Sequence, residues 1–165
     1  MANQARVAIV GRANVGKSTL FNRLTTGPRA LVAPEAGTTR DRQERECSWR
    51  GKTFTLIDTG GLDINAQNPI EHEVAKQALK AVSDAAVVLF VVDAKAGITS
   101  SDREAAQTLR ATGVPIILVV NKVDAQRDVS LAAEFYQLAC GEPMAISAAT
   151  GAGTGDRLSL PRRKG

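Results

Sequence analysis

The sequence predicts a three-layer α/β domain whose mostly parallel six-stranded sheet carries one antiparallel strand. Short apolar runs alternate with longer helical patterns along the 165 residues, which is the order that βαβ units produce. Aromatic residues make up only 4% of the chain, so valine, isoleucine, leucine and alanine must build the core. Such residues suit parallel strands that are covered on both faces.

Six segments are predicted to be strands. Five are short apolar runs, several of them rich in valine and isoleucine, and the sixth is more polar. The polar segment precedes a tight turn at Gly51 and forms an antiparallel hairpin with the run that follows. In chain order the predicted strands are Arg6–Val10, Gln43–Trp49, Thr53–Ile57, Ala86–Val92, Pro115–Val120 and Met144–Ser147.

Four helices are predicted between or after these strands. Pro69 suits the first position of the second helix, Thr99 or Ser100 caps the third, and Gly113 ends the third. Residues 26–42 predict a long loop, because glycine, proline, threonine and charged residues dominate there. The predicted helices are Lys17–Thr25, Pro69–Val82, Ser100–Thr112 and Ser130–Leu138.

Composition argues against several classes of protein. Two distant cysteines and one histidine indicate neither a disulfide framework nor a zinc site. No segment approaches ~20 consecutive apolar residues and the first ten residues lack a signal-peptide run, so we expect no membrane span and a reducing, cytoplasmic compartment. The net charge of +4 would permit contact with a polyanion, but a mild excess of arginine in a soluble protein is the simpler interpretation.

A phosphate-binding loop is the first chemical motif. Residues 11–18, GRANVGKS, fit G-x-x-x-x-G-K-[ST] and stand between a predicted strand and a predicted helix, a context that disfavours a chance glycine-rich turn. Its glycines allow N–H groups to converge on phosphate at the positive end of a helix dipole. Lys17 is placed for the β- and γ-phosphates and the Ser18 hydroxyl for Mg²⁺. The predicted nucleotide-binding residues here are Gly11, Asn14, Val15, Gly16, Lys17, Ser18 and Thr19.

A second motif, DTGG at residues 58–61, closes the third predicted strand. Asp58, at the carboxyl end of a strand beside the phosphate loop, is placed to hold Mg²⁺ through water. Gly60 and Gly61 leave the backbone free to approach the γ-phosphate, so Gly61 joins Lys17 among the residues predicted to act in catalysis. Aspartate and glycine are common in turns, and the motif gains its meaning from following the phosphate loop.

A third motif, NKVD at residues 121–124, follows the fifth predicted strand and predicts guanine recognition. Guanine presents N1–H and its N2 amine side by side, and the carboxylate of Asp124 can accept from both, whereas adenine has an acceptor at N1. Asn121 can tie the base to the loop, and the stem of Lys122 can lie along the base plane. In isolation this tetrapeptide would suggest a surface cap before a helix, but its order after a phosphate loop favours guanine.

Three small residues, Ser147, Ala148 and Ala149, end the last predicted strand. Their size would let the backbone N–H of Ala148 approach the guanine O6. The pattern is weak alone, and its position after the other motifs gives it weight. We therefore include all three among the predicted nucleotide-binding residues.

Taken in order, GRANVGKS, TTRD, DTGG, NKVD and SAA resemble the five motifs of translation-factor-type GTPases. The segments ALVAPEAGTTRDR, VVLFVVDAKAGIT and EFYQLACGEPMAISA are similar to the first G domain of the Der (EngA) ribosome-assembly GTPases. This resemblance implies GTP and GDP as ligands, Mg²⁺ as cofactor, and GTP hydrolysis as a switch in biogenesis of the large ribosomal subunit. It also implies a second G domain and a KH-like domain in the intact protein, through which a ribosomal subunit or rRNA would be contacted.

The resemblance also implies roles for single residues. Thr39 matches the family's threonine that joins Mg²⁺ when GTP is bound, and it is counted among the catalytic residues. Leu62 stands where Ras-like proteins place a water-orienting glutamine. Related GTPases with an apolar residue there often use K⁺ held partly by the phosphate-loop asparagine, which Asn14 matches. We therefore predict slow, K⁺-stimulated hydrolysis with Asn14 as a K⁺ ligand and catalytic residue; the alternative is that Asn14 only shapes the loop.

The end of the chain departs from the family. A last helix should follow Gly155, but Pro161 breaks its pattern. We therefore expect a G domain over residues 5–155 with a truncated last helix, and a flexible tail over residues 156–165.

Two alternative functions stay open at this point. Leu62 and the lack of an obvious side-chain base favour a nucleotide-responsive binding module with negligible turnover. An ATPase would require that Asp124 does not touch the base.

Overall fold

The computed structural model describes residues 5–12, 15–26, 43–49, 52–59, 76 and 78–148. The loop predicted over residues 26–42 lies almost wholly outside these ranges, as do the first part of the second predicted helix, the truncated last helix and the tail. The strands are β1 (Ala5–Val10), β2 (Gln43–Trp49), β3 (Lys52–Asp58), β4 (Val87–Asp93), β5 (Ile116–Asn121) and β6 (Met144–Ala145). The helices are α1 (Lys17–Thr26), α2 (residues 78–83), α3 (Ser100–Ala111) and the 3-10 helix η1 (Gln126–Leu138).

The six strands form one sheet in the order β2-β3-β1-β4-β5-β6. β2 pairs antiparallel with β3, and the other neighbours pair in parallel, so the predicted fold class is confirmed. In register, Ile9 of β1 lies opposite Asp58 of β3, and Asp93 of β4 lies opposite Asn121 of β5. Parallel strands end at the same edge of a sheet, and this edge therefore gathers the polar residues that follow each strand.

Apolar side chains cover both faces of the sheet. All seven residues of β4 are buried, because this central strand has packed layers on both sides. Its even-numbered residues, from Val88 to Val92, pack in one cluster with α3 and with Phe135 of η1. Its odd-numbered residues, from Val87 to Val91, pack in the other cluster with α1. Alternation along the strand thus builds the two helix layers around the sheet.

Helix α3 begins and ends at the predicted signals. The Thr99 hydroxyl accepts from the Asp102 N–H at 3.1 Å, and the Asp102 carboxylate accepts from the Thr99 N–H at 3.0 Å. This reciprocal pair is a capping box. At the other end Gly113 takes a φ of +76°, which a residue without a side chain adopts without strain.

The fourth helix and the last strand differ from prediction. An α-helix was predicted over Ser130–Leu138, whereas the 3-10 helix η1 begins earlier, at Gln126. Asp128 explains the earlier start, because its carboxylate accepts from the Ala125 N–H at 3.3 Å and its own N–H donates to the Ala125 carbonyl at 2.9 Å. Strand β6 ends two residues before the predicted Ser147, whose hydroxyl donates to the Asp124 carboxylate.

None of the helices in the described part of the chain combines the length and the apolar composition needed to cross a membrane.

Candidate nucleotide-binding site

The phosphate loop is shaped by the close approach of other elements to its glycines. A Cβ atom added at Gly11 would lie 2.5 Å from the Val91 carbonyl oxygen of β4. Gly16 has a φ of +96°, and a Cβ added there would collide with the side-chain amide of Asn121. Gly11 is therefore required by packing, whereas Gly16 is required by both packing and backbone conformation.

Helix α1 begins directly after this loop and points its N-terminus toward it. The Leu20 N–H donates to the Gly16 carbonyl at 3.0 Å, which starts the helix at the loop's last glycine. Lys17 is buried, whereas Ser18 and Thr19 are exposed. Within α1 the first turn carries no acidic side chain, so its positive end is available to an anion.

Asp58 stands at the end of β3, beside the phosphate loop. It is 5% exposed and lies in register with Ile9 of the neighbouring strand. Thr59 fixes the chain there, because its buried hydroxyl donates to the Ile9 carbonyl at 2.9 Å. The Asp58 carboxylate and the Ser18 hydroxyl are the hard oxygen ligands that Mg²⁺ takes together with phosphate oxygens, so these residues fit the predicted metal.

Asn121 joins three of the predicted motifs. Its side-chain nitrogen Nδ2 donates to the Val15 carbonyl of the phosphate loop at 2.8 Å, and its oxygen Oδ1 accepts from the Ala148 N–H at 2.8 Å. The residue is 3% exposed, so both bonds are shielded from water. The N–H predicted to meet guanine O6 therefore donates to a side chain of the neighbouring motif in this structure.

Asp124 is held by two side chains. Ser147 Oγ donates to its Oδ1 at 2.7 Å, and Lys95 Nζ lies 2.8 Å from its Oδ2. The hydrogen bond from Lys95, and then that from Ser147, lowers the pKa of Asp124 below its usual value. The carboxylate is therefore ionised and purely an acceptor at neutral pH. Lys95 was not among the predicted site residues, since a lysine in a turn after a strand carries no distinguishing pattern.

Lys122 is anchored by a second carboxylate, Asp93, which was also not among the predicted site residues. Its backbone is left-handed, with a φ of +67°, and its Nζ lies 2.8 Å from Asp93 Oδ2. The other Asp93 oxygen accepts from the N–H groups of Lys95 at 2.8 Å and Ala96 at 3.2 Å. Burial opposes the charged form of Asp93, but the hydrogen bonds from Lys122 and these N–H groups outweigh it and lower the pKa of the carboxyl group. The position of Asp93 at the carboxyl end of β4, on the sheet edge that carries the other motifs, was the sequence feature that could have identified it.

Several predicted site residues lie outside the described ranges: Asn14, Thr39, Gly61 and Ala149, together with Leu62. Among the described residues, the structure brings the phosphate loop, Asn121 and Ala148 into direct contact. It places Asp58 in register beside β1 and Asp124 against Ser147.

Relatives of known name match this chain over most of its length. GTPase Der of Porphyromonas gingivalis is 53% identical over 154 residues, which are 93% of this chain and 35% of that protein. GTPase Der of Moorella thermoacetica is 49% identical over 152 residues, which are 92% of this chain and 35% of that protein. The predicted resemblance to the Der family is confirmed, and the chain spans about a third of the length of the curated relatives it matches.

Solved structures carry the same fold. Era of Aquifex aeolicus bound to GDP and AlF4⁻ superposes with a TM-score of 0.73 at 32% identity, covering 92% of this chain and 54% of that one. Era in complex with MgGDPNP and a segment of 16S ribosomal RNA gives a TM-score of 0.73 at 31% identity, covering 91% and 53%. The family described as 50S ribosome-binding GTPase matches residues 6–122, which is most of this chain. On its fold, its ordered motifs and this match, the chain belongs to the family of 50S ribosome-binding GTPases.

Proposed function

We propose that this chain binds GTP and GDP with Mg²⁺ and hydrolyses GTP as a conformational switch in large ribosomal subunit biogenesis. One observation carries the proposal: the buried side chain of Asn121 ties the phosphate loop to the residues predicted to read guanine. A chance turn would need no such connection, whereas a nucleotide site must hold its two ends at a set separation.

The phosphate end of the site is formed by the phosphate loop and Asp58. There, water attacks the γ-phosphorus, the P–O bond between the γ-phosphorus and GDP breaks, and GDP leaves. Lys17 and the loop N–H groups neutralise the developing charge. Ser18, Asp58 through water, and Thr39 would hold Mg²⁺, which would add further positive charge there. Gly61 is proposed to offer its backbone to the γ-phosphate. No side-chain base is required, because positioning and electrostatic stabilisation supply most of the catalysis in this class of reaction.

At the base end, the ionised Asp124 accepts from guanine N1–H and N2. Its Oδ2 is paired with the ammonium group of Lys95, and both side chains are exposed to solvent. Because such a pair is weak, the lysine shifts aside when the base arrives. The Ala148 N–H is shared between Asn121 and guanine O6. Adenine presents an acceptor at N1, which would face the carboxylate and be rejected.

Potassium stimulation follows from Leu62 and Asn14, as read from the sequence. With no glutamine to orient water, K⁺ held by Asn14 would offset charge on the transferring phosphoryl group. Turnover measured at equal concentrations of KCl and NaCl tests this, and equal rates in the two salts would remove Asn14 from the catalytic set. We also propose that the intact protein contacts a ribosomal subunit or rRNA, through the further G domain and KH-like domain that the resemblance implies.

The guanine proposal is tested by competition between GTP, ATP and XTP. Asp124→Asn replaces one acceptor oxygen with a donor, so we expect loss of GTP preference and a gain for XTP, whose C2 carries an oxygen. Asp128→Asn, a matched change in η1, should keep the wild-type preference. Wild-type protein that bound ATP as tightly as GTP would contradict the proposal and favour an ATPase.

A second candidate, a binding module with negligible turnover, is favoured by Leu62. Single-turnover hydrolysis with saturating protein separates the two. Tight GTP binding, combined with a rate equal to that of GTP in buffer in both KCl and NaCl, would leave only the module.

A further inference from the structure

Arg23 connects the last turn of α1 to the predicted guanine-reading loop. Its Nε donates to the carbonyl oxygen of Ala148 at 2.6 Å, across a separation of 125 residues. A charged donor at this distance makes a strong hydrogen bond. The contact is partly buried, so solvent competes less for it than at an exposed site.

Ala148 is thereby held on both of its backbone polar groups. Asn121 Oδ1 accepts from its N–H at 2.8 Å, and Arg23 donates to its carbonyl. The residue is 1% exposed, and its small side chain cannot anchor it by packing a large group. These two bonds, from β5 and α1, therefore hold both of its backbone polar groups, while its methyl group packs in the cluster beside α1.

We propose that Arg23 is a positioning residue for guanine recognition, fixing the Ala148 backbone so that its N–H meets O6 of the base. The inference rests on the proposed function, since it presumes that guanine is the base bound. The same helix carries Lys17 and Ser18 in its first turn, so α1 links the phosphate end directly to the base end. A backbone group that is held in place before binding loses less conformational entropy when the base binds.

Side-chain geometry supplies matched variants. Glutamine carries a nitrogen on Cδ, as arginine does, so Arg23→Gln keeps a donor at the same number of bonds from Cα. Arg23→Met has similar length and no donor. Arg110→Met is the control, because Arg110 Nε also donates to a backbone carbonyl, that of Ala106 at 3.4 Å, within its own helix.

The probes are GDP and 6-thio-GDP, which keeps N1–H and the N2 amine and changes only the atom at position 6. Binding of both to each variant is measured by calorimetry in the presence of Mg²⁺, with folding checked by thermal unfolding. We expect Arg23→Met to weaken GDP about tenfold and 6-thio-GDP about twofold, because a lost charge-assisted bond acts mainly through the O6 contact. Arg23→Gln should stay within about threefold of wild type for both ligands, and Arg110→Met should match wild type.

A purely structural role would weaken both ligands equally, leaving their affinity ratio unchanged. An unchanged ratio in Arg23→Met therefore overturns the inference, as does unchanged GDP affinity. Should Arg23→Met fail to fold, Arg23→Ala supplies a second variant that favours helix and has no side-chain donor; a GDP to 6-thio-GDP affinity ratio equal to wild type in that variant also overturns the inference. Wild-type protein that fails to prefer GDP over ADP instead refutes the proposed function, so the two failures are distinguishable.

Discussion

The phosphate end and the base end of the candidate site are built on different principles. At the phosphate end, Gly11 and Gly16 admit neighbouring strands and a left-handed turn because they lack side chains. At the base end, Asn121, Asp124 and Ser147 are held by bonds between side chains and to the backbone. A single contiguous motif determines the backbone shape at the phosphate end, whereas the side-chain hydrogen bonds at the base end join residues that are far apart in the sequence.

Gly16→Ala should have the largest effect on stability. The added methyl group meets both a positive φ and the buried amide of Asn121. We expect the free energy of unfolding in urea to fall by about 3 kcal/mol, with loss of GDP binding. Gly113→Ala isolates the backbone term, because its φ is +76° and nothing lies within 4 Å of the added carbon; it should cost about 1 kcal/mol. Equal losses in the two variants would show that the contact with Asn121 is unimportant.

Asn121→Ala tests the link between the two ends. It leaves the Val15 carbonyl and the Ala148 N–H without their partner in a buried place. Stranded polar groups of this kind should lower the free energy of unfolding by about 2 to 3 kcal/mol. Gln107→Ala removes an exposed amide from α3 and should change little. If both variants unfold at the same urea concentration, the link carries no stability.

Asp93→Asn tests how much the buried carboxylate that anchors Lys122 contributes to stability at different pH values. The folded pKa of Asp93 lies below the unfolded value, so its contribution is present above about pH 4 and fades as pH falls through the folded pKa. At pH 7 we expect a loss of about 1 to 2 kcal/mol from weakened bonds to Lys122 and the Lys95 N–H. Urea unfolding at pH 7 and pH 3 should show the difference from wild type shrinking in acid. A difference independent of pH would contradict this assignment, and Asp84→Asn serves as the control on an exposed turn.

Lys95→Met should have the smallest effect. Its ammonium pairs with Asp124 at an exposed position, where water and salt screen the attraction. The thermal midpoint should match wild type at low and at high salt. A fall in stability comparable to that of Asn121→Ala would mean that the exposed contact contributes as much as the buried hydrogen bonds of Asn121.

Local signals predicted the parts of the fold that depend on neighbouring residues. The Thr99 cap, the Gly113 stop and the helix after the phosphate loop are confirmed, because each rests on residues a few positions apart. The start of η1 was wrong by four residues, since the bond between Asp128 and Ala125 was not recognised as a start signal.

Side-chain partners across the sheet edge were beyond prediction. Asp93 and Lys95 meet Lys122 and Asp124 some 29 residues away in sequence, and Arg23 reaches Ala148 across 125 residues. Nothing in the local pattern of any one residue indicates which distant residue it will face, because that depends on strand order and register.

The sequence by itself determined the type of domain, the phosphate loop and the order of the motifs, since periodicity, glycine placement and short motifs are local properties of a chain. Only the tertiary structure decided that Asn121 bridges the two ends, that Asp124 pairs with Lys95, and that Arg23 holds Ala148. Those contacts exist because parallel strands bring their carboxyl ends to one edge, so folding sets distances that the linear chain leaves open.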